Sequence, residues 1–179
     1  MDPFLIILLA SSLLIAAVQD LRFQKIPNLV TYPTMGIALV YHLVTNRLDG
    51  LLFSAGGLGV GIAIFILPYL MGGMGAGDAK LMGAVGTILG PKGVFIAFLF
   101  TAVIGGVYAL ILLLISRRSL KGFISRHATT LKTFVMTHQF IPIPAAKDEK
   151  KPKLCYGIAI ALGTLLYVFL ELSGYNLLT

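Results

Sequence analysis

Long apolar runs separated by short polar or glycine-rich stretches dominate the sequence. A helix needs about 20 residues to cross a bilayer, so these runs predict about six transmembrane helices. Pro27 and Asn28 provide a rigid entry and a capping side chain for the second of them. We therefore expect an all-α integral membrane protein with a single polytopic domain over residues 1–179. The predicted spans are 3–18, 29–45, 51–71, 79–89, 93–115 and 154–172.

The fourth run, 79–89, is bounded by the glycine-rich stretch 72–78 and by Pro91. As a helix it would extend only about 16 Å, whereas the hydrocarbon core is about 30 Å thick. We therefore expect its Gly-Asp entrance to lie below the lipid headgroups, surrounded by protein. Gly83 and Gly86 would let neighbouring backbones approach this short helix closely.

One long polar segment, 117–153, separates the last two spans. Apolar residues recur at three- and four-residue intervals over 120–138, with polar and basic residues opposite, which predicts an amphipathic helix at the inner membrane surface. We expect the segment to tune membrane or substrate engagement without taking part in catalysis.

Composition excludes several classes of protein. The chain is 58% hydrophobic and 12% charged, with a mean hydropathy of +0.94, which is not that of a soluble domain. Cys155 is the only cysteine, so no internal disulfide can form. The three histidines form no cluster at metal-ligand spacing and no HExxH is present, so neither a metal nor another cofactor is expected.

Topology explains the net charge of +7 without a nucleic-acid partner. If the N-terminus is outside, twelve of the 14 Lys and Arg residues fall in predicted cytoplasmic loops. Only Arg47 and Lys92 fall in outer loops. The basic loops would contact anionic membrane lipids.

Two carboxylates share one depth in this topology. Asp20 closes the first span and Asp78 opens the fourth, both at the cytoplasmic end. Ionisable residues that border a span typically mark a functional site facing the helix bundle. Each also has a structural interpretation, since Asp20 could be an ordinary interfacial carboxylate and Asp78 could cap its helix.

The glycines beside Asp78 favour the functional interpretation. Gly75 and Gly77 remove side chains there and would leave a slot through which an extended peptide could reach the carboxylate. Two neighbouring carboxyl groups share one proton and titrate as a unit. One could then activate water while the other donates a hydrogen bond to a peptide carbonyl, which is the chemistry of aspartic proteases. Which aspartate takes which role stays open.

Four further residues are candidates for supporting the site. Lys80 could stabilise the charge of Asp78 or anchor its helix at the interface. The segment Ile26-Pro27-Asn28 would fix the loop that presents Asp20.

These residues carry a family resemblance. Asp20 followed by Ile26-Pro27-Asn28, and then the Gly75-Ala76-Gly77-Asp78 motif, resemble in order the two signatures of the type IV prepilin peptidase family, whose members are GxGD aspartic proteases. The stretch 154–161 resembles the last-span entry of that family, with Cys155 where a proline is common. The resemblance covers nearly the whole chain.

The resemblance implies cleavage of the short basic leader from prepilin or pseudopilin precursors at the cytoplasmic face of a prokaryotic inner membrane. Longer family members carry an additional cytoplasmic part with cysteine pairs and also methylate the new N-terminus. This chain has only Cys155 and no insertion between its first two spans, so we expect peptidase activity without N-methyltransferase activity, as in the short forms that serve Flp/Tad-type pili.

Other functions remain as alternatives. An archaeal preflagellin-type peptidase is closely similar. A presenilin-like protease shares GxGD but has tyrosine where Gln19 stands. A proton-coupled transporter would place its carboxylates nearer the midplane. A dyad of Ser54 and His42 lacks any supporting motif. The precursor, the oligomeric state and whether the aspartates meet without substrate are not fixed by the sequence.

Overall fold

The structure is a computed structural model that describes residues 2–70, 73–115 and 155–175. Within these ranges every regular element is a helix. The bounds are α1 (Pro3–Phe23), α2 (Asn28–Leu70), α3 (Ala76–Ile115) and α4 (Tyr156–Leu172). The first three are long and apolar enough to cross a membrane, and α4 is a shorter apolar helix. The all-α prediction is confirmed for the described residues, whereas the predicted amphipathic helix within 117–153 lies outside them.

Helix α2 folds back on itself at Asn46–Arg47. Both residues have non-helical backbone angles, and Arg47 has a φ of 52°. The rings of His42 and Phe53, on either side of the break, lie 5.3 Å apart between centroids. Eleven residues of straight helix would separate them by about 16 Å. The loop predicted over 46–50 is therefore a two-residue turn.

Helix α3 folds back in the same way at Gly90, whose φ is 73°. Phe65 of α2 packs against Phe98, with ring centroids 5.8 Å apart. One turn away, a Cβ on Gly61 of α2 would overlap the carbonyl of Met82. Residues on both sides of Gly90 thus face the same part of α2. The left-handed backbone at the turn is one that glycine adopts without strain.

Two helix ends differ from the predicted bounds where the candidate site lies. Helix α1 continues past residue 18 to Phe23, and its end is capped by Gln24, whose N–H donates to the Asp20 carbonyl at 2.9 Å. Helix α3 begins at Ala76 instead of residue 79. A hydropathy pattern does not indicate either helix end, because polar residues at the end of a helix still form its backbone hydrogen bonds.

The core begins with a stripe along α1, which packs against α2 and α4. Its buried residues recur every three or four positions. Its apolar members are Leu5, Leu9, Leu13 and Ala16, Ser12 is buried beside them, and Asp20 is the next member of the series. The periodicity that buries the leucines therefore also turns Asp20 inward.

Close backbone contact joins α2 to α3. A Cβ on Gly57 would overlap the carbonyl of Gly86, and a Cβ on Gly86 would overlap that of Gly57. Gly57 and Gly61 are one turn apart, which is the spacing of small residues at membrane helix contacts. The close approach expected at Gly86 is confirmed, and it fixes the helix segment that carries Asp78.

The helices have two distinct ends. At one, the Tyr41 hydroxyl donates to the Asp2 carboxylate at 2.7 Å, and the Phe53 ring covers Gly90, so the start of α1 and both turns lie together. We call this the turn end. The other holds the end of α1 and the starts of α2, α3 and α4, and we call it the carboxylate end. Both ends belong to one compact unit, which includes residues 2–105 and 155–175.

Candidate active site

Asp20 lies in the last turn of α1 and is buried, with 6% of its surface exposed. Its Oδ2 accepts a hydrogen bond from the backbone N–H of Gly157 at 2.8 Å. Gly157 is the second residue of α4, where N–H groups have no partner within their own helix. The Cys155 thiol lies 3.8 Å from the Asp20 carbonyl oxygen. The start of α4 therefore holds both the side chain and the backbone of Asp20.

Asp78 is the third residue of α3 and is 8% exposed. Its Oδ2 accepts from the Gly75 N–H at 3.0 Å, while its own N–H donates to the Gly75 carbonyl at 3.1 Å. The first of these bonds is one half of a capping box, and the second is a backbone turn, because Gly75 has no side chain to complete the motif. The capping role considered for Asp78 is present, and it uses one carboxylate oxygen.

The structure places both predicted aspartates at the carboxylate end. Asp20 is bound by Gly157 of α4, and Gly77, next to Asp78, packs on Ile26 of the link that follows α1. In the part of the chain that the structure describes, each carboxylate binds a backbone N–H at the start of a helix. Such donors are favourable for an anion because the helix dipole places partial positive charge there.

The link between α1 and α2 packs directly on the GxGD motif. A Cβ on Gly77 would lie 3.1 Å from the Cβ of Ile26 and 3.4 Å from its carbonyl oxygen. Ile26 also packs against the hydrophobic core, and the Pro27 carbonyl accepts from the N–H of Val30 in the first turn of α2. The space expected to be a slot at Gly77 is therefore filled by Ile26. Gly75 remains exposed beside the buried Asp78.

Lys80 links the two motifs. Its ammonium donates to Oδ1 of Asn28 at 2.9 Å and lies 5.1 Å from the centre of the Tyr32 ring. Asn28 is the first residue of α2, and its side chain binds Lys80, so the capping role predicted for it gives way to a contact between helices. The short spacing between Lys80 and Asp78 suggested a contact between these two side chains. Spacing along the chain could not reveal that α2 starts beside α3.

Gly157 and the link between Asn28 and Lys80 are the contacts that sequence reasoning missed. The resemblance of 154–161 to a last-span entry was the available signal for Gly157, but no local pattern indicates that it contacts Asp20. The alternative dyad at the turn end receives no support, since Ser54 Oγ donates to the carbonyl of Thr87 at 2.7 Å. Among the described residues, no three His, Cys, Asp or Glu side chains are grouped to hold a metal ion.

Two buried carboxyl groups can carry out acid–base chemistry. Like charges at close range disfavour simultaneous ionisation, so two carboxyl groups that come close together titrate as a unit. Such a unit can accept a proton from one reactant and donate a hydrogen bond to another. Backbone N–H groups fix one oxygen of each carboxylate and thereby restrict its rotation.

Apolar helices around a buried pair of acids define a membrane protein with a candidate acid–base centre. Comparison with known families identifies it further. Residues 7–110, more than half of the chain, match the type IV leader peptidase family, so the chain belongs to that family. The matched region contains Asp20 and Asp78, and the family resemblance in the sequence is confirmed.

Two curated relatives carry the name prepilin leader peptidase/N-methyltransferase. The Bacillus subtilis protein is 33% identical over 111 residues and the Vibrio cholerae protein 30% over 117 residues. Each match covers 60% of this chain but only 44% and 45% of the respective relative. The matched part therefore corresponds to less than half the length of either relative. No solved structure is significantly similar to the chain.

Proposed function

We propose that this protein is a membrane aspartic endopeptidase that removes the short basic leader from prepilin-like precursors. The observation that carries the proposal is that Asp20 and Asp78 are both buried at the carboxylate end, each with one carboxylate oxygen bound by a backbone N–H. Family membership supports the substrate class.

In the proposed reaction the ionised member of the pair accepts a proton from water as the water oxygen attacks the scissile carbonyl. The protonated member hydrogen bonds the carbonyl oxygen, whose negative charge grows in the transition state. Donation of a proton to the leaving amine then completes cleavage and frees the new N-terminus. Burial excludes bulk water and strengthens each of these interactions.

The proposal includes a membrane orientation with six crossings. The turns at Asn46–Arg47 and Gly90 divide α2 and α3 into two segments each, which together with α1 and α4 gives six helical segments. Arg47 and Lys92, the two basic residues assigned to outer loops, lie in or beside those turns. The turn end then faces outward, and the carboxylate end faces the cytoplasm of a prokaryotic inner membrane. A precursor with a basic leader and an apolar helix would present its junction at that depth.

We propose that the enzyme does not methylate its product. Residues 24–27 alone join α1 to α2, which leaves no domain inserted between them. Incubation of cleaved product with labelled S-adenosylmethionine tests this part, with one of the curated relatives as a positive control. Label transfer by this protein would contradict it.

The central experiment is cleavage of a pilin-like precursor by the protein reconstituted in lipid vesicles. Asp20→Asn and Asp78→Asn each preserve the shape of the side chain while removing its ionisable group. In assays to which no metal is added, we expect the wild type to cleave and both variants to be inactive. Asp49→Asn is the matched control, because Asp49 is an exposed carboxylate at the turn end. Cleavage by both folded active-site variants would overturn the proposal, and proton flux through the vesicles would then be measured.

A further inference from the structure

The first turn of α4 is in direct contact with the Asp20 carboxylate. Gly157 donates its N–H to Oδ2 of Asp20 at 2.8 Å. The three atoms nearest to a Cβ built on Gly157 all belong to Asp20, namely Oδ2 at 2.9 Å, Cβ at 3.0 Å and Cγ at 3.2 Å. Any side chain at 157 would therefore displace the carboxylate or its donor.

Gly75 likewise donates its N–H to a carboxylate, that of Asp78, whereas two glycines on α3 and α4 serve only helix packing. The nearest neighbours of Gly163 are backbone and side-chain atoms of Thr101, and Gly105 approaches only the Ala159 side chain. These contacts let helices pack, and none of them involves a titratable group. Gly157, in contrast to Gly163 and Gly105, is shaped around a carboxylate.

We propose that Gly157 is a positioning residue of the peptidase, holding the Asp20 carboxylate in its reactive orientation through the backbone N–H. This inference rests on the proposed function. A charge-assisted hydrogen bond is about twice as strong as a neutral one, and a dry site strengthens it further. Asp20 and Gly157 lie in different helices, so their contact depends on how α4 packs against α1.

The first test is Gly157→Ala in lipid vesicles, with Gly36→Ala as the matched control. Gly36 is also a helical glycine, but a Cβ there would meet no atom within 4 Å. We expect kcat to fall about 100-fold in Gly157→Ala with KM nearly unchanged, since a displacement of about 1 Å costs that much in rate. Gly36→Ala should cleave at the wild-type rate.

A second measurement separates positioning from loss of folded protein. A precursor peptide with a hydroxyl-bearing isostere at the scissile bond mimics the transition state. Its Kd should rise in Gly157→Ala by about the factor by which kcat/KM falls, with unchanged binding stoichiometry. A lower stoichiometry with unchanged Kd would mean that position 157 serves folding alone, and would overturn the inference.

A backbone ester at residue 157, with glycolic acid in place of glycine, removes the donor without adding an atom that clashes. We expect a rate loss here also, and full activity would overturn the inference even if Gly157→Ala failed to fold. Asp20→Asn keeps the two proposals distinguishable. If Asp20→Asn still cleaves, the proposed function fails. If Asp20→Asn is inactive while the ester at 157 is fully active, only the role of Gly157 fails.

Discussion

Both ends of α1 carry an aspartate, and the two aspartates have opposite surroundings. Asp2 precedes the first turn, is exposed, and its carboxylate accepts a hydrogen bond from the Tyr41 hydroxyl. Asp20, about 27 Å further along the helix, is buried and bound by a backbone N–H of α4. Both aspartates therefore lie near a helix end, so this position alone does not mark a catalytic residue. Burial against the start of another helix, beside a second carboxylate, distinguishes the candidate catalytic residue.

Lengthening a carboxylate side chain should lower the cleavage rate strongly at the carboxylate end and hardly at the turn end, which is the largest difference that we expect between the two. Asp20→Glu or Asp78→Glu keeps the acid but moves it by about one methylene, and we expect cleavage to fall about 100-fold. Asp49→Glu at the turn end is the control and should stay within twofold. Initial rates per folded enzyme measure all three, and equal losses in every variant would remove the distinction between the ends.

We expect a smaller loss of cleavage activity from a substitution at the contact between the α1–α2 link and the GxGD motif. Gly77→Ala places a Cβ 3.1 Å from that of Ile26, so the link that follows Asp20 and α1 must give by a few tenths of an ångström. We expect about a tenfold lower kcat, because a small displacement near a catalytic group lowers the rate. Gly59→Ala is the control, since no atom lies within 4 Å of a Cβ there. Wild-type turnover by Gly77→Ala would show that the link tolerates the shift.

The contact between Lys80 and Asn28 should matter less again. We expect Lys80→Met and Asn28→Ala each to lower kcat/KM severalfold, with a coupling energy of about 1 kcal/mol in a double-mutant cycle. Additive effects would mean that the hydrogen bond does not connect the motifs functionally. Lys80→Arg would retain charge but not the compact donor geometry, and should recover part of the activity.

The smallest effect on catalysis is expected at the turn end. Tyr41→Phe removes the hydrogen bond to Asp2 and should reduce the free energy of unfolding only slightly, because the pair is exposed to solvent. Turnover per folded enzyme should remain within twofold of wild type. Denaturation in detergent and rates in vesicles report the two quantities separately, and a large loss of turnover would connect this end to the chemistry.

Much of the fold and both candidate acids could be predicted from the sequence. Apolar runs indicate where helices lie, and the three- and four-residue spacing from Leu5 to Ala16 continues to Asp20. Glycine before Asp78 indicates an unusual helix start. Residues that act locally are thus accessible to pattern analysis.

The contacts between distant segments could not be predicted in this way. Gly157 and Asp20 are 137 positions apart, and Lys80 and Asn28 are 52 apart. The spacing of residues within one segment does not predict which helix ends lie next to each other in the fold. Gly77 illustrates the same limit, because its small size suggested open space, whereas tertiary packing fills that space with Ile26.

The hydrogen bond from Gly157 has a consequence for biogenesis. A nascent chain that has been synthesised only through α3 contains both aspartates but lacks the donor that holds Asp20. The contact that holds the Asp20 side chain therefore forms only after α4 has been synthesised and has packed against α1. For the proposed peptidase, this order of synthesis would delay proteolytic competence until α4 is in place, and partially translated chains would not form the complete site.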